Sequence, residues 1–101
     1  MTQVQLTIYL NEADRSGEHA LYQVIVRHLL HLELGGATVL RGIMGYGHHA
    51  RVHRGRLFGV CDDRPIVIIT VADPVRLRAV LPELKAMVTE GLMTLHEVEV
   101  V

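Results

Sequence analysis

The chain has 101 residues, half of them hydrophobic, and a formal net charge of −1. That is one domain with a real core, too evenly balanced in charge for a general nucleic-acid coat and short enough that association would help its stability. A single cysteine, Cys61, excludes an intrachain disulfide and fits a reducing cytoplasm.

Val4, Leu6, Ile8 and Leu10 alternate with Gln5, Thr7 and Tyr9, which predicts a half-buried first strand. Residues 1–14 lack a basic leader and a cleavage pattern, so no signal peptide is expected. Residues 11–17 are polar and turn-rich, and Ser16 or Glu18 is placed to begin a helix. Leu21, Val24, Ile25, His28/Leu29 and Leu32 follow at helical spacing, and Gly35-Gly36 is the expected positive-φ stop. Residues 37–44 read as a second strand, and residues 56–60 as a return of extended chain. Asp62-Asp63-Arg64-Pro65 is a turn, and residues 66–72 are a third strand, apolar on both faces. This apolar run is far too short to span a bilayer. Asp73-Pro74 is a helix start, an N-cap acceptor followed by proline at the first helical position. Leu77, Val80, Leu81, Leu84, Met87 and Val88 mark one helical face, Pro82 is expected to kink the helix or shift its start, and Gly91 to end it. Residues 95–101 are the last strand.

The order β-α-β-β-α-β predicts an α+β fold: a ferredoxin-like βαββαβ sandwich over residues 1–101, an antiparallel four-stranded sheet with two helices on one face. The helices cover one apolar row of the third strand. Ile66, Ile68 and Ala72 form one row and Val67, Ile69 and Val71 the other, and the row left bare calls for sheet-to-sheet association or a large ligand on the open face.

Charge is unevenly placed. Residues 35–60 carry Arg41, Arg51, Arg54 and Arg56 and no carboxylate, while acidic residues outnumber basic ones on either side. Arginine forks suit phosphate or carboxylate, and glycine lets backbone amides approach such a ligand. Arg41 would reach from the strand, the other three arginines from the loop, with amides near Gly45 and Gly47 forming an anion-binding concavity. The alternative is a solvated hairpin tip whose charges keep it soluble. The glycine pattern is not a dinucleotide fingerprint, because the third glycine and the following helix are absent.

His48, His49 and His53 cluster, but four-residue spacing aligns side chains only on a helix, and the segment lacks the further ligands of a zinc site. No metal is expected. His28 and His31 read as surface or subunit-contact residues. Ser16, the only serine, has no nucleophile-elbow context, Cys61 has no base at fixed spacing, and Asp62-Asp63 is a turn, so no enzyme is expected. An RNA-binding sheet needs stacking aromatics; the first strand offers only Tyr9 and the third none.

Ile8-Tyr9-Leu10, Leu21-Tyr22, the string Gly36-Ala-Thr-Val-Leu-Arg-Gly-Ile-Met-Gly-Tyr-Gly47, His53, Asp63-Arg-Pro-Ile-Val67 and Glu90-Gly-Leu-Met-Thr94 resemble the bacterial and archaeal proteins of domain of unknown function 190, in the PII-like group. The resemblance covers essentially the whole chain. It implies a homotrimer with inward-facing sheets, effector clefts between subunits, and a T-loop at about residues 45–61 that signals to a partner, such as a membrane transporter or another regulated protein. Thr38 matches the threonine of the PII Gly-Met-Thr-Val string, and Gly45-Tyr46-Gly47 matches Gly-Phe-Gly. Residues 72–76, Ala-Asp-Pro-Val-Arg, lack the glycines of the PII phosphate loop, and residues 98–101 lack the family's C-terminal arginines. These departures turn the expectation from ATP plus 2-oxoglutarate toward a smaller nucleotide or another anion.

The resulting expectation is a cytoplasmic, non-enzymatic regulatory module, binding neither nucleic acid nor, as an embedded protein, the membrane. Its effector would be an adenine nucleotide or another anion, lined by Thr38, Arg41, Gly45 and Gly47 with His53 and Arg54 closing over. The alternative is a trimeric protein-binding or structural module without a small ligand.

Overall fold

The computed structural model of the chain describes residues 2–46, 52–53 and 64–101. Its elements are β1 (Thr2–Asn11), a small ribbon of β2 (Arg15–Ser16) and β3 (His19–Ala20), α1 (Leu21–His31), β4 (Gly36–Arg41), a second ribbon of β5 (Gly45–Tyr46) and β6 (Val52–His53), β7 (Pro65–Ala72), α2 (Pro74–Met87) and β8 (Leu92–Glu99). The long strands form one four-stranded antiparallel sheet in the order β4-β7-β1-β8. This is the expected ferredoxin-like α+β arrangement.

The alternation in β1 decides which face the helices cover. Val4, Leu6, Ile8 and Leu10 are buried, and they stand opposite the buried Ala72, Thr70, Ile68 and Ile66 of β7. Leu21, Ile25 and Leu29 of α1 and Leu77 and Leu84 of α2 complete this core. Each fully buried aliphatic side chain contributes roughly 1.5–3 kcal/mol by leaving water. Thr70 is the polar exception, and its hydroxyl donates to the Gly36 carbonyl at 2.6 Å.

The other face carries cross-strand rows, because directly paired residues of a sheet project to the same side. Leu40, Val67, Tyr9 and Leu92 form one row across all four strands. Thr38, Ile69, Thr7 and Thr94 form the next. Leu40 is 50% exposed, Tyr9 43% and Leu92 57%, so none of the described residues covers the first row.

Several element ends differ from the sequence reading, each for a tertiary reason. α1 starts at Leu21 rather than near residue 16 or 18. Residues 15–20 are occupied by a hairpin whose first turn residue, Gly17, has φ 62°, and the Leu21 amide donates to the Asp14 carbonyl at 2.8 Å. The helix stops before the glycines. Glu33 takes the left-handed conformation (φ 57°); its amide donates to Leu30 O at 3.0 Å and the Leu34 amide to Leu29 O at 3.4 Å. That is a Schellman cap without glycine, with Leu34 buried beneath it. Gly35 serves a different need, since a Cβ there would stand 2.7 Å from the Val71 carbonyl oxygen.

β4 ends at Arg41 rather than residue 44 because its partner β7 begins at Pro65; the ladder runs out at Arg41 opposite Ile66. β8 spans Leu92–Glu99 rather than 95–101 because β1 offers partners from Tyr9 back to Thr2. α2 begins at Pro74 as expected, with the Asp73 carboxylate accepting from the Val75 and Arg76 amides at 3.1 Å. Pro82 neither shifts that start nor ends the helix, which runs on to Met87 and stops short of Gly91. Arg76 ties the helices together by donating to the carbonyl of Leu32, the α1 C-cap, at 2.9 Å. The expected extended return over residues 56–60 and the Asp62-Asp63 half of the turn lie outside the described residues.

Candidate functional site

The basic segment leaves the sheet from the end of β4 and rejoins it at β7. Its root is a meeting of three chain segments. The Gly42 amide donates to the Pro65 carbonyl at 2.7 Å, joining the outgoing and returning arms. Gly42 must be glycine for this approach, because an added Cβ would stand 2.7 Å from Pro65 Cγ. The third segment is the turn after β1, where the Glu12 amide donates to the Arg64 carbonyl at 2.7 Å. The turn itself is braced. Asn11 Oδ1 accepts from the Ala13 amide (2.8 Å), and Asp14 Oδ2 accepts from the Asn11 amide (3.0 Å).

Arg41 closes this junction. It stands opposite Ile66, which stands opposite Leu10, so its side chain leaves the sheet on the helix-covered side. The guanidinium reaches across β7 and forms an ion pair with the Glu12 carboxylate. The Arg41 side chain is 57% exposed, whereas Glu12 is 16% exposed. The segment without carboxylates in sequence therefore acquires one in space. Nothing local in the sequence marks Glu12, which lies 29 residues from Arg41; the only available signal was that β1 and β7 are neighbours in a ferredoxin-like sheet.

The other candidate residues are distributed around this root. Thr38 is exposed on the open face opposite Ile69, so it and Arg41 project to opposite sides of β4. Gly45 pairs with His53 in the second ribbon, which brings these two positions together in backbone register. Gly47 and Arg54 lie outside the described residues, as do Arg51, Arg56, His48, His49 and Cys61.

Two further features lie away from the root. His28 is half-buried between the helices, its Nε2 3.5 Å from Glu83 Oε1 of α2, and His31 is exposed. An open groove of about 270 Å³ lies between α2 and β8, lined by Leu6, Leu81, Lys85, Val88, Gly91, Met93 and Leu95. Among the described residues no cluster of three or more His, Cys, Asp or Glu side chains is placed to hold a metal ion, and no helix is long and apolar enough to cross a membrane.

Comparison with known proteins places this geometry in a family. Residues 3–100 match the family profile of DUF190, described as "Uncharacterized ACR". A UPF0166 protein of Aquifex aeolicus is 29% identical over 96 residues, covering 95% of this chain and 90% of the relative. A UPF0166 protein of Methanocaldococcus jannaschii is 31% identical over 96 residues, covering 94% and 88%. Among solved structures, the fold is similar to CPII, a nitrogen regulatory PII-like protein from Thiomonas intermedia K12 bound to ADP, AMP and bicarbonate. That likeness has a TM-score of 0.74 at 20% identity and covers 99% of this chain and 89% of CPII. A Thermus thermophilus protein described as PII-like is similar at TM-score 0.69 and 16% identity, covering 100% and 91%. The chain thus belongs to the DUF190 family and has the PII-like fold.

Proposed function

We propose that this protein is a cytoplasmic, non-enzymatic PII-like regulator that binds an adenine nucleotide at clefts between the subunits of a homotrimer. The observation that carries this reading is the junction at the root of the basic segment, where Arg41 is held at the end of β4 by Glu12. It presents a half-exposed guanidinium a short step along the chain from the Gly45–His53 ribbon. Such a fork is suited to phosphate oxygens. CPII, which shares the fold, is bound to ADP and AMP, which motivates adenine nucleotides as the first ligands to try. Thr38, on the other side of β4, reaches the same ligand only if the cleft wraps the strand's edge, as a cleft between subunits does. Gly45 and Gly47 supply amides, and His53 and Arg54 close over the anion.

Assembly is supported by the uncovered row Leu40, Val67, Tyr9 and Leu92, which a trimer with inward-facing sheets buries. The ligand state would alter what a partner protein, such as a membrane transporter, meets at residues 45–61.

Calorimetric titration with ADP, AMP and ATP tests the reading. Saturable binding is expected, weakened about tenfold or more by Arg41→Ala and by Arg54→Ala, since each removes charge-assisted hydrogen bonds worth roughly 1.5–3 kcal/mol. Absence of saturable heat at millimolar nucleotide overturns the nucleotide reading. Salt-sensitive capture of an acidic protein, indifferent to nucleotide, would favour the protein-binding trimer instead.

A further inference from the structure

We propose that Glu12 sets the anion affinity of this site by acting as the internal counter-ion of Arg41, a place that a ligand phosphate takes over on binding. The inference rests on the reading of Arg41 as an anion ligand and adds a residue that lies outside the basic segment. Three observations carry it. The Arg41 guanidinium is already occupied by the Glu12 carboxylate. The backbone that carries that carboxylate is held in place, because the Glu12 amide is bonded to Arg64 O and its turn is braced by Asn11 and Asp14. The two partners also differ in exposure, with Glu12 16% and Arg41 57% exposed. The guanidinium is thus approachable from solvent, while the carboxylate behind it is largely shielded.

A phosphate arriving at Arg41 meets two opposing effects. Glu12 holds the fork in one orientation, which favours capture, but its charge competes for the same donors and repels the incoming anion. Repulsion wins, because Arg41 keeps a second side open to solvent and a carboxylate a few ångströms from a phosphate is only partly screened. Glu12 is therefore an affinity-determining residue: its charge weakens the binding of any anion at Arg41, and most of all the most highly charged.

The experiment titrates ADP and pyrophosphate into the wild-type full-length protein, Glu12→Gln, Arg41→Ala and the double variant. Glu12→Gln keeps the shape of the side chain and removes its charge. Both probes are expected to bind Glu12→Gln about fivefold more tightly than wild type, with the gain lost in the Arg41→Ala background. Because the repulsion grows with ligand charge, the ratio of pyrophosphate to inorganic phosphate affinity, with phosphate titrated as a comparison, should rise in Glu12→Gln. If wild type binds ADP and Glu12→Gln binds it equally or more weakly, the role assigned to Glu12 is overturned while the nucleotide reading stands. If wild type binds neither probe and Glu12→Gln binds pyrophosphate, the masking role stands and the nucleotide reading falls. If no variant binds either probe, both fall.

Discussion

Ile68 and Ile69 are adjacent, chemically identical and both in β7, yet they live in different environments. Ile68 is completely buried under the helices, opposite Ile8 and Val39. Ile69 is half-buried on the open face, opposite Thr7 and Thr38. The contrast extends along the strand: Ile66, Ile68, Thr70 and Ala72 are buried by this chain's own helices, while Val67, Ile69 and Val71 wait for something else. One face of the sheet therefore carries the stability of the protomer, and the other is left for the assembly proposed above. The two kinds of apolar residue cannot be told apart by composition, only by parity along the strand.

The largest test of this division is Ile68→Ala. It removes a fully buried side chain from the centre of the core and should cost about 2–5 kcal/mol in urea unfolding, with little change in which oligomer the folded fraction forms. Ile69→Lys should do the reverse. The lysine stem can lie along the sheet with its ammonium in water, so the protomer stays folded. The sedimenting mass should drop to that of a single subunit, and unchanged mass would show that the open face is not the assembly surface. Thr70→Val is the smallest change. It keeps the shape but withdraws the hydroxyl from the Gly36 carbonyl, and a loss of about 1 kcal/mol is expected on thermal unfolding.

Much of the architecture was legible from short-range pattern. The alternation in β1, the doubly apolar run of β7 and the Asp73-Pro74 cap each state a local preference, and the structure obeys all of them. What local pattern missed was where elements stop. β4 stops where β7 begins, and β8 extends as far as β1 offers partners. Gly35-Gly36 looked like the helix stop, but Glu33 takes the left-handed position because Leu34 is drawn into the core at once. Part of the candidate site was legible too. The arginine- and glycine-rich segment stands out by composition, whereas the arrangement at its root does not. Thr38 and Arg41 are close together in one string, and strand parity sends them to opposite sides.

By itself, then, the order of residues determined the kind and succession of elements, because helix and strand periodicities, caps and turns depend on near neighbours along the chain. Tertiary structure alone decided which residues of β7 fall in line with the apolar row of β1 and which carboxylate answers Arg41. Both follow from sheet order and register, which join residues as distant as Glu12 and Arg41 across the one strand, β7, that lies between them. A charge has no preferred partner in sequence; it takes the one the register brings within reach.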